Sequence, residues 1–450
     1  MMKILLGKNI IDKEVYWEIE SEKNPHLIVF GTSGSGKTET LKAIVGELNK
    51  HKVPSLIIDF HNEYEEVAEN ILDLKTKTIN PLELKENESP KNTIYEVSEI
   101  IKKVFKLGDI QESILRKAIR DSYLAHGIDP RKAGKYKEFP NFSDIEKNIY
   151  KQENNSNKII VNSLISRIEP LFDMDIFTKN TDIDFTKLMN KTSAVQLKDF
   201  PTEAVKTAIA EFFLNKLCYF VYSLNKSKKI RLCCVIDEAH RLMYENSPLD
   251  KLLRESRKYG ISVILASQRP SDFSETVLAN SGALLSFQCS LEKDAKFVAK
   301  QFNLDYRKIK NLTEPGLGYV KFSRSEKPEK IKIIPLKERK IKKLKKEEAK
   351  KAEEPKKEKF RSLRRIFFYD NENFSLIMFL RVLAISLSVI FALWNLYFLR
   401  IKSSLALFIL AFIWTPAFSY NLEIKKESAK LFNIFRFFFS CFLFLLFCLF

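Results

Sequence analysis

The stretch "HLIVFGTSGSGKTETLKAIVGEL", residues 26–48, narrows the folds open to this chain more than any other. Four apolar residues of β character end at Gly31, a helical stretch follows Lys37, and the residues between fit G-x-x-x-x-G-K-[ST]. The glycines let such a loop turn inward, so that its backbone N–H groups converge on one point, and the helix N-terminus adds a dipole favourable to anions. The pattern therefore predicts a phosphate cradle made of Gly31, Thr32, Ser33, Gly34, Ser35, Gly36, Lys37 and Thr38. Lys37 would neutralise β- and γ-phosphates, and the Thr38 hydroxyl would bind Mg²⁺.

The remaining strand candidates agree with a sheet behind that loop. The runs "SLIID" (55–59), "SAVQL" (193–197), "LCCVID" (232–237), "SVILAS" (262–267) and "ALLSF" (283–287) are continuously apolar, as strands covered on both faces are. With helical patterns between them, they predict an α/β domain over 1–335 with a mostly parallel sheet. Residues of about 90–180 read as a helical insertion. In "DIQESILRKAIRDSYLAHGI" the positions Ile110, Ile114, Leu115, Ala118, Ile119 and Tyr123 keep a 3.6 period, and Gly127 follows as a stop.

Four further pieces complete the expected chemistry. Asp237 and Glu238 follow an apolar strand and so reach the sheet edge where α/β folds bind ligands. Asp237 would hold Mg²⁺, and Glu238 would orient and deprotonate the attacking water. Gln268 ends the next strand, where its amide would sense the γ-phosphate or simply close a turn before Pro270. Asp59, His61 and Glu63 end "IIDFHNEY", either facing the site or forming a polar turn; no second histidine stands at ligand spacing from His61. Arg254 and Arg257 lie three apart on one helical face, available to a neighbouring subunit's nucleotide or to solvent.

Charge divides the chain again. The net charge is +18, and 14 Lys/Arg against 5 Glu between Arg339 and Arg365 supply half of it. A polyanionic partner follows, either nucleic acid or anionic lipid. Residues 336–366 read as a Lys/Glu-rich linker, with a DNA-binding tail and a plain solvated spacer as the alternatives. Beyond it, residues 374–399, 403–420 and 431–450 are apolar runs near the roughly 20 residues that cross a bilayer, so 367–450 is expected to form two or three transmembrane helices. Lysines just ahead of the first run place the preceding domain in the cytoplasm by the positive-inside rule. The linker then reads best as a charged stalk on the membrane face. Six cysteines without a CxxC pair fit a reducing compartment, and the N-terminal apolar run is too short for a signal peptide.

Taken together, "NPHLIVFGTSGSGKTETL", "LIIDFHNEY", "INPLEL", "VIDEAHRLM", "ESRKYGISVILASQRPSDFSETVLANSGALLSF" and "NLTEPGLGYV" resemble the HerA/FtsK superfamily of P-loop motor ATPases, above all HerA-like helicases and conjugation ATPases of the VirB4 and TraG type. The likeness runs over about residues 1–335. It implies a RecA-like core, ATP and Mg²⁺ as cofactors, a homohexameric ring, and translocation of DNA or, in secretion relatives, of protein; it leaves open a nuclease or a secretion partner. It assigns nucleotide binding to Gly31–Thr38, catalysis to Asp237 and Glu238, and the sensor to Gln268. It also favours Arg257 over Arg254 as the intersubunit arginine, and Glu63 matches an acidic position. HerA itself carries an N-terminal β-barrel. Here about 25 residues precede the loop's strand, with two short strand candidates, "KILLG" and "VYWEIE".

Overall fold

The structure is a computed structural model that describes residues 2–339, except 85–87, 133, 178–179, 280 and 326, together with 383, 385–388 and 390. Met1–Lys340 forms one compact unit. The expected linker and membrane segments lie almost wholly outside the described residues. Among the described residues, no helix is long and apolar enough to cross a membrane.

Among its described residues, this unit is built on eleven strands: β1 (Ile4–Asn9), β2 (Glu14–Trp17), β3 (Leu27–Phe30), β4 (Ser55–Asp59), β5 (Asn70–Asp73), β6 (Ser193–Gln196), β7 (Leu232–Ile236), β8 (Ile261–Ser267), β9 (Ala283–Ser286), β10 (Leu317–Phe322) and β11 (Glu329–Ile333). They make a single sheet in the order β2-β1-β11-β10-β9-β3-β8-β7-β4-β6-β5. From β9 to β5 all neighbours run parallel, while β10, β11, β1 and β2 join antiparallel. The sheet is thus mixed, a parallel block extended on one side by antiparallel strands. The two N-terminal strands extend it through β11.

Helices α1 (Lys37–Lys50), α2 (Pro90–Phe105), α3 (Asp109–Ala125), α4 (Phe142–Tyr150), α5 (Lys158–Phe172), α6 (Phe185–Leu188), α7 (Glu203–Tyr222), α8 (Pro248–Glu255), α9 (Glu275–Ala279), α10 (Glu292–Phe302) and α11 (Tyr306–Lys310) cover the sheet. Side chains alternate between its faces. Ile28, Phe30, Leu56, Ile58, Cys234 and Ile236 join a core with α2–α5 and α7. Leu27, Val29, Ile57, Cys233 and Val235 meet Leu41, Ile44, Val45 and Leu48 of α1 on the other side. Burying each of these large α1 side chains stabilises the helix's seat by about 1.5–3 kcal/mol.

Helices α2–α5 lie between residues 90 and 172. Leu115, Ala118, Ile119 and Tyr123 of α3 are buried, and Gly127 follows the cap residue His126 with φ 71°. Ile110, in register with them, is nonetheless 63% exposed. It sits in the helix's first turn, beyond the reach of the neighbouring helices' core. Cys218, Cys233, Cys234 and Cys289 are unpaired and buried.

Candidate nucleotide site

The parallel block sets four adjacent strand ends side by side: β3, β8, β7 and β4 finish at the same edge. Each delivers part of the expected chemistry there. The loop after β3 turns through Gly31, Gly34 and Gly36, all at positive φ. At Gly36 the angle is 103°, and an added Cβ would sit 3.1 Å from the Gly316 backbone nitrogen, so a side chain fits neither the conformation nor the space. Neighbouring strands hold the loop's frame: Thr32 N–H donates to the Gln288 carbonyl at 2.8 Å, and Gly316 N–H to the Ser35 carbonyl at 2.8 Å.

Lys37 begins α1 and is buried. Its ammonium donates to the Thr32 carbonyl at 2.9 Å. Burial holds this ammonium below the usual lysine range, against the pull of Asp237 and Glu238. Thr38 donates its hydroxyl to Asp237 Oδ2 at 2.7 Å, so the two expected Mg²⁺ residues are in direct contact.

Glu238 follows Asp237 with φ 59°, an uncommon angle for a residue with a side chain. Its N–H donates to Asp237 Oδ1 at 3.0 Å, which locks the pair together. Gln268 Nε2 donates to Glu238 Oε1 at 2.8 Å, and His240 Nε2 stands 3.6 Å from Oε2. Burial lowers the His240 imidazole below its usual value, against the Glu238 carboxylate, so a neutral ring flanks Glu238 near pH 7.

Asp59 is buried, but its carboxylate is spent on a turn, accepting from the His61 and Tyr64 N–H groups at 3.1 and 3.0 Å. That turn aims Tyr64, whose hydroxyl donates to Asp237 Oδ2 at 2.9 Å. Asp59 therefore reaches the site through Tyr64. His61 and Glu63 on the same turn are exposed. Sequence reasoning passed over Tyr64, although it closes the "DFHNEY" segment, and Gly316, although it lies in "EPGLGYV".

The arginines stand elsewhere. Arg254, in the last turn of α8, pairs with Asp250 at 2.8 Å. Arg257 lies past the helix end on a 3₁₀ turn, Ser256–Tyr259, where Nη1 donates to Asn24 Oδ1 at 3.1 Å. The two do not continue one α-helical face. Arg257 precedes β8 and Gln268 follows it, so seven strand residues, about 20 Å, separate this arginine's edge from the loop's edge.

Among the described residues, no group of three or more His, Cys, Asp or Glu could hold a metal. Thr38 and Asp237 nevertheless suit a magnesium ion that takes most of its ligands from phosphate oxygens and water.

A family model described as the central domain of the helicase HerA matches residues 4–217. Over those residues, a little under half of the chain, it is similar to the HerA-type P-loop ATPases. It is 28% identical over 297 residues to the DNA double-strand break repair helicase HerA of Sulfurisphaera tokodaii, covering 61% of this chain and 57% of that one. The chain thus spans little more than half the length of this relative. In fold, VirB4 of Thermoanaerobacter pseudethanolicus superposes with a TM-score of 0.60 at 21% identity, covering 74% of this chain and 96% of that one. The plasmid coupling protein TrwB, in complex with ADP and Mg²⁺, superposes at 0.51 and 16% identity, over 69% and 85%.

Proposed function

We propose that this chain hydrolyses ATP with Mg²⁺ and uses the cycle to move double-stranded DNA. The observation that carries the hydrolytic part is the closed set of contacts Thr38–Asp237 and Glu238–Gln268 beside a buried Lys37. Gly31–Thr38 bind the phosphates, and Thr38 and Asp237 hold the cation, which when bound neutralises charge on the β- and γ-phosphate oxygens. Glu238 accepts the proton of the attacking water. Gln268, already bonded to that carboxylate, exchanges this contact for the γ-phosphate. Arg257, on the far edge of the sheet, exchanges its hydrogen bond to Asn24 for a neighbouring subunit's nucleotide in a ring of six, with Arg254 held back by Asp250.

The DNA substrate is supported by the HerA relative. Adding linear duplexes of increasing length to the full-length chain should raise its ATP hydrolysis several-fold, more with longer DNA. Hydrolysis indifferent to every duplex length would overturn DNA translocation and favour the protein substrate of a secretion or conjugation machine.

Anchoring through 367–450 rests on the apolar runs, and the cytoplasmic side of the ATPase domain and the lipid contact rest on the lysines ahead of them. Alkaline carbonate extraction of membranes should leave the full-length chain in the pellet. Its release into the supernatant would refute the anchor.

A further inference from the structure

Arg339 is counted among the cations of the basic stretch, yet its side chain is only 4% exposed. All three guanidinium nitrogens are engaged. Nε donates to the Ile334 carbonyl at 2.7 Å and Nη2 to the Leu6 carbonyl at 2.9 Å. Nη1 donates to the Leu5 carbonyl at 2.7 Å and the Ala43 carbonyl at 3.3 Å, and lies 3.4 Å from Glu47 Oε1. One planar fork thus ties together the segment leaving β11, strand β1 and helix α1. Only arginine has donors enough, and in a suitable geometry, to do this.

The same segment meets the site by two more routes. Leu336 packs on Gly46 of α1 so closely that an added Cβ would stand 2.7 Å from Leu336 Cδ1. Ile333 N–H donates to the Gly316 carbonyl at 2.8 Å, and Gly316 N–H to Ser35 of the phosphate loop at 2.8 Å. Residues 333–339 therefore run along both the loop and the helix that carries Lys37 and Thr38. Immediately beyond them begins the densest run of positive charge in the chain.

We propose that Arg339 is a positioning residue for the phosphate-loop helix, and that through it the segment leaving the domain responds to nucleotide at the loop. The idea rests on the nucleotide reading above. A guanidinium that merely filled a core gap would affect stability alone. One that seats α1 sets how well the loop is formed before nucleotide arrives, and so acts on the KM for ATP more than on kcat.

Hydrogen exchange of the full-length chain, with and without a non-hydrolysable ATP analogue and Mg²⁺, tests this. In the wild type the analogue should slow exchange in peptides covering 31–50 and also in 331–339. In Arg339→Gln the slowing at 331–339 should vanish, and the KM for ATP should rise about tenfold with kcat changed less than twofold. Arg339→Lys should restore part of both. Gly46→Ala, which displaces only the end of Leu336, should likewise uncouple 331–339, and it stands in should Arg339→Gln not fold. Protection at 31–50 with none at 331–339 in the wild type overturns this proposal alone, as does an unchanged KM in Arg339→Gln. No protection at 31–50 overturns the nucleotide reading and this proposal together.

Discussion

Glu238→Gln is expected to bind ATP as tightly as the wild type while losing turnover by about 10²–10⁴-fold, the usual worth of a positioned general base. The substitution keeps the side chain's shape and leaves Oε1 to accept the 2.8 Å hydrogen bond from Gln268. It also keeps the backbone N–H that donates to Asp237 Oδ1, so the Asp237 carboxylate is not disturbed. What disappears is the proton acceptor. Its other oxygen stands 3.6 Å from His240 Nε2, an imidazole that burial lowers below its usual value. Fluorescent-nucleotide titration and phosphate release, measured on the same preparation, separate binding from chemistry. Turnover within tenfold of wild type would remove Glu238 from the base role, and a parallel loss of binding would show that the change damages the site instead.

Much of this site was legible because its residues sit where apolar runs stop. β3, β4, β6, β7, β8 and β9 are continuous runs, since both faces of each are covered, and each lies within a residue of its expected bounds. A polar residue directly after such a run must emerge at the sheet's edge, which is how Asp237, Glu238 and Gln268 could be found. β10 has a different signature: in "LGYVKF" only alternate positions are buried, so no continuous run marks it. β5 exposes Ile71 and shows no pattern at all.

The residues missed depend on pairings far apart in the chain. Tyr64 meets Asp237 across 173 positions, and Arg339 meets Leu5 across 334. Such contacts require the strand order, and local periodicity carries no information about which strands become neighbours. Arg339 was also hidden by its surroundings, because a cation among lysines reads as solvated until its carbonyl partners are known.

Lys37→Ala should lower nucleotide affinity by about ten- to a hundredfold, from the loss of roughly 1.5–3 kcal/mol in hydrogen bonds to a charged group, and should abolish measurable hydrolysis. Its effect on the nucleotide-free protein should run the other way. Burial depresses the Lys37 ammonium, so its charge costs stability, in full below the folded pKa and less as pH rises toward the unfolded value. The Thr32 carbonyl compensates in part, at 2.9 Å, but a single carbonyl is a poor replacement for water around an ammonium. Alanine removes the cost together with the function. The nucleotide-free variant should therefore melt no lower than the wild type, while the rise in Tm that ATP and Mg²⁺ give the wild type should shrink sharply. That rise reports affinity directly, since a ligand at 100 times its Kd stabilises the folded state by about 2.7 kcal/mol. Thermal melts of both chains, with and without nucleotide, decide the matter. A variant that keeps the wild-type shift would mean that the phosphates are held elsewhere, because no other buried cation begins the helix at the end of this loop.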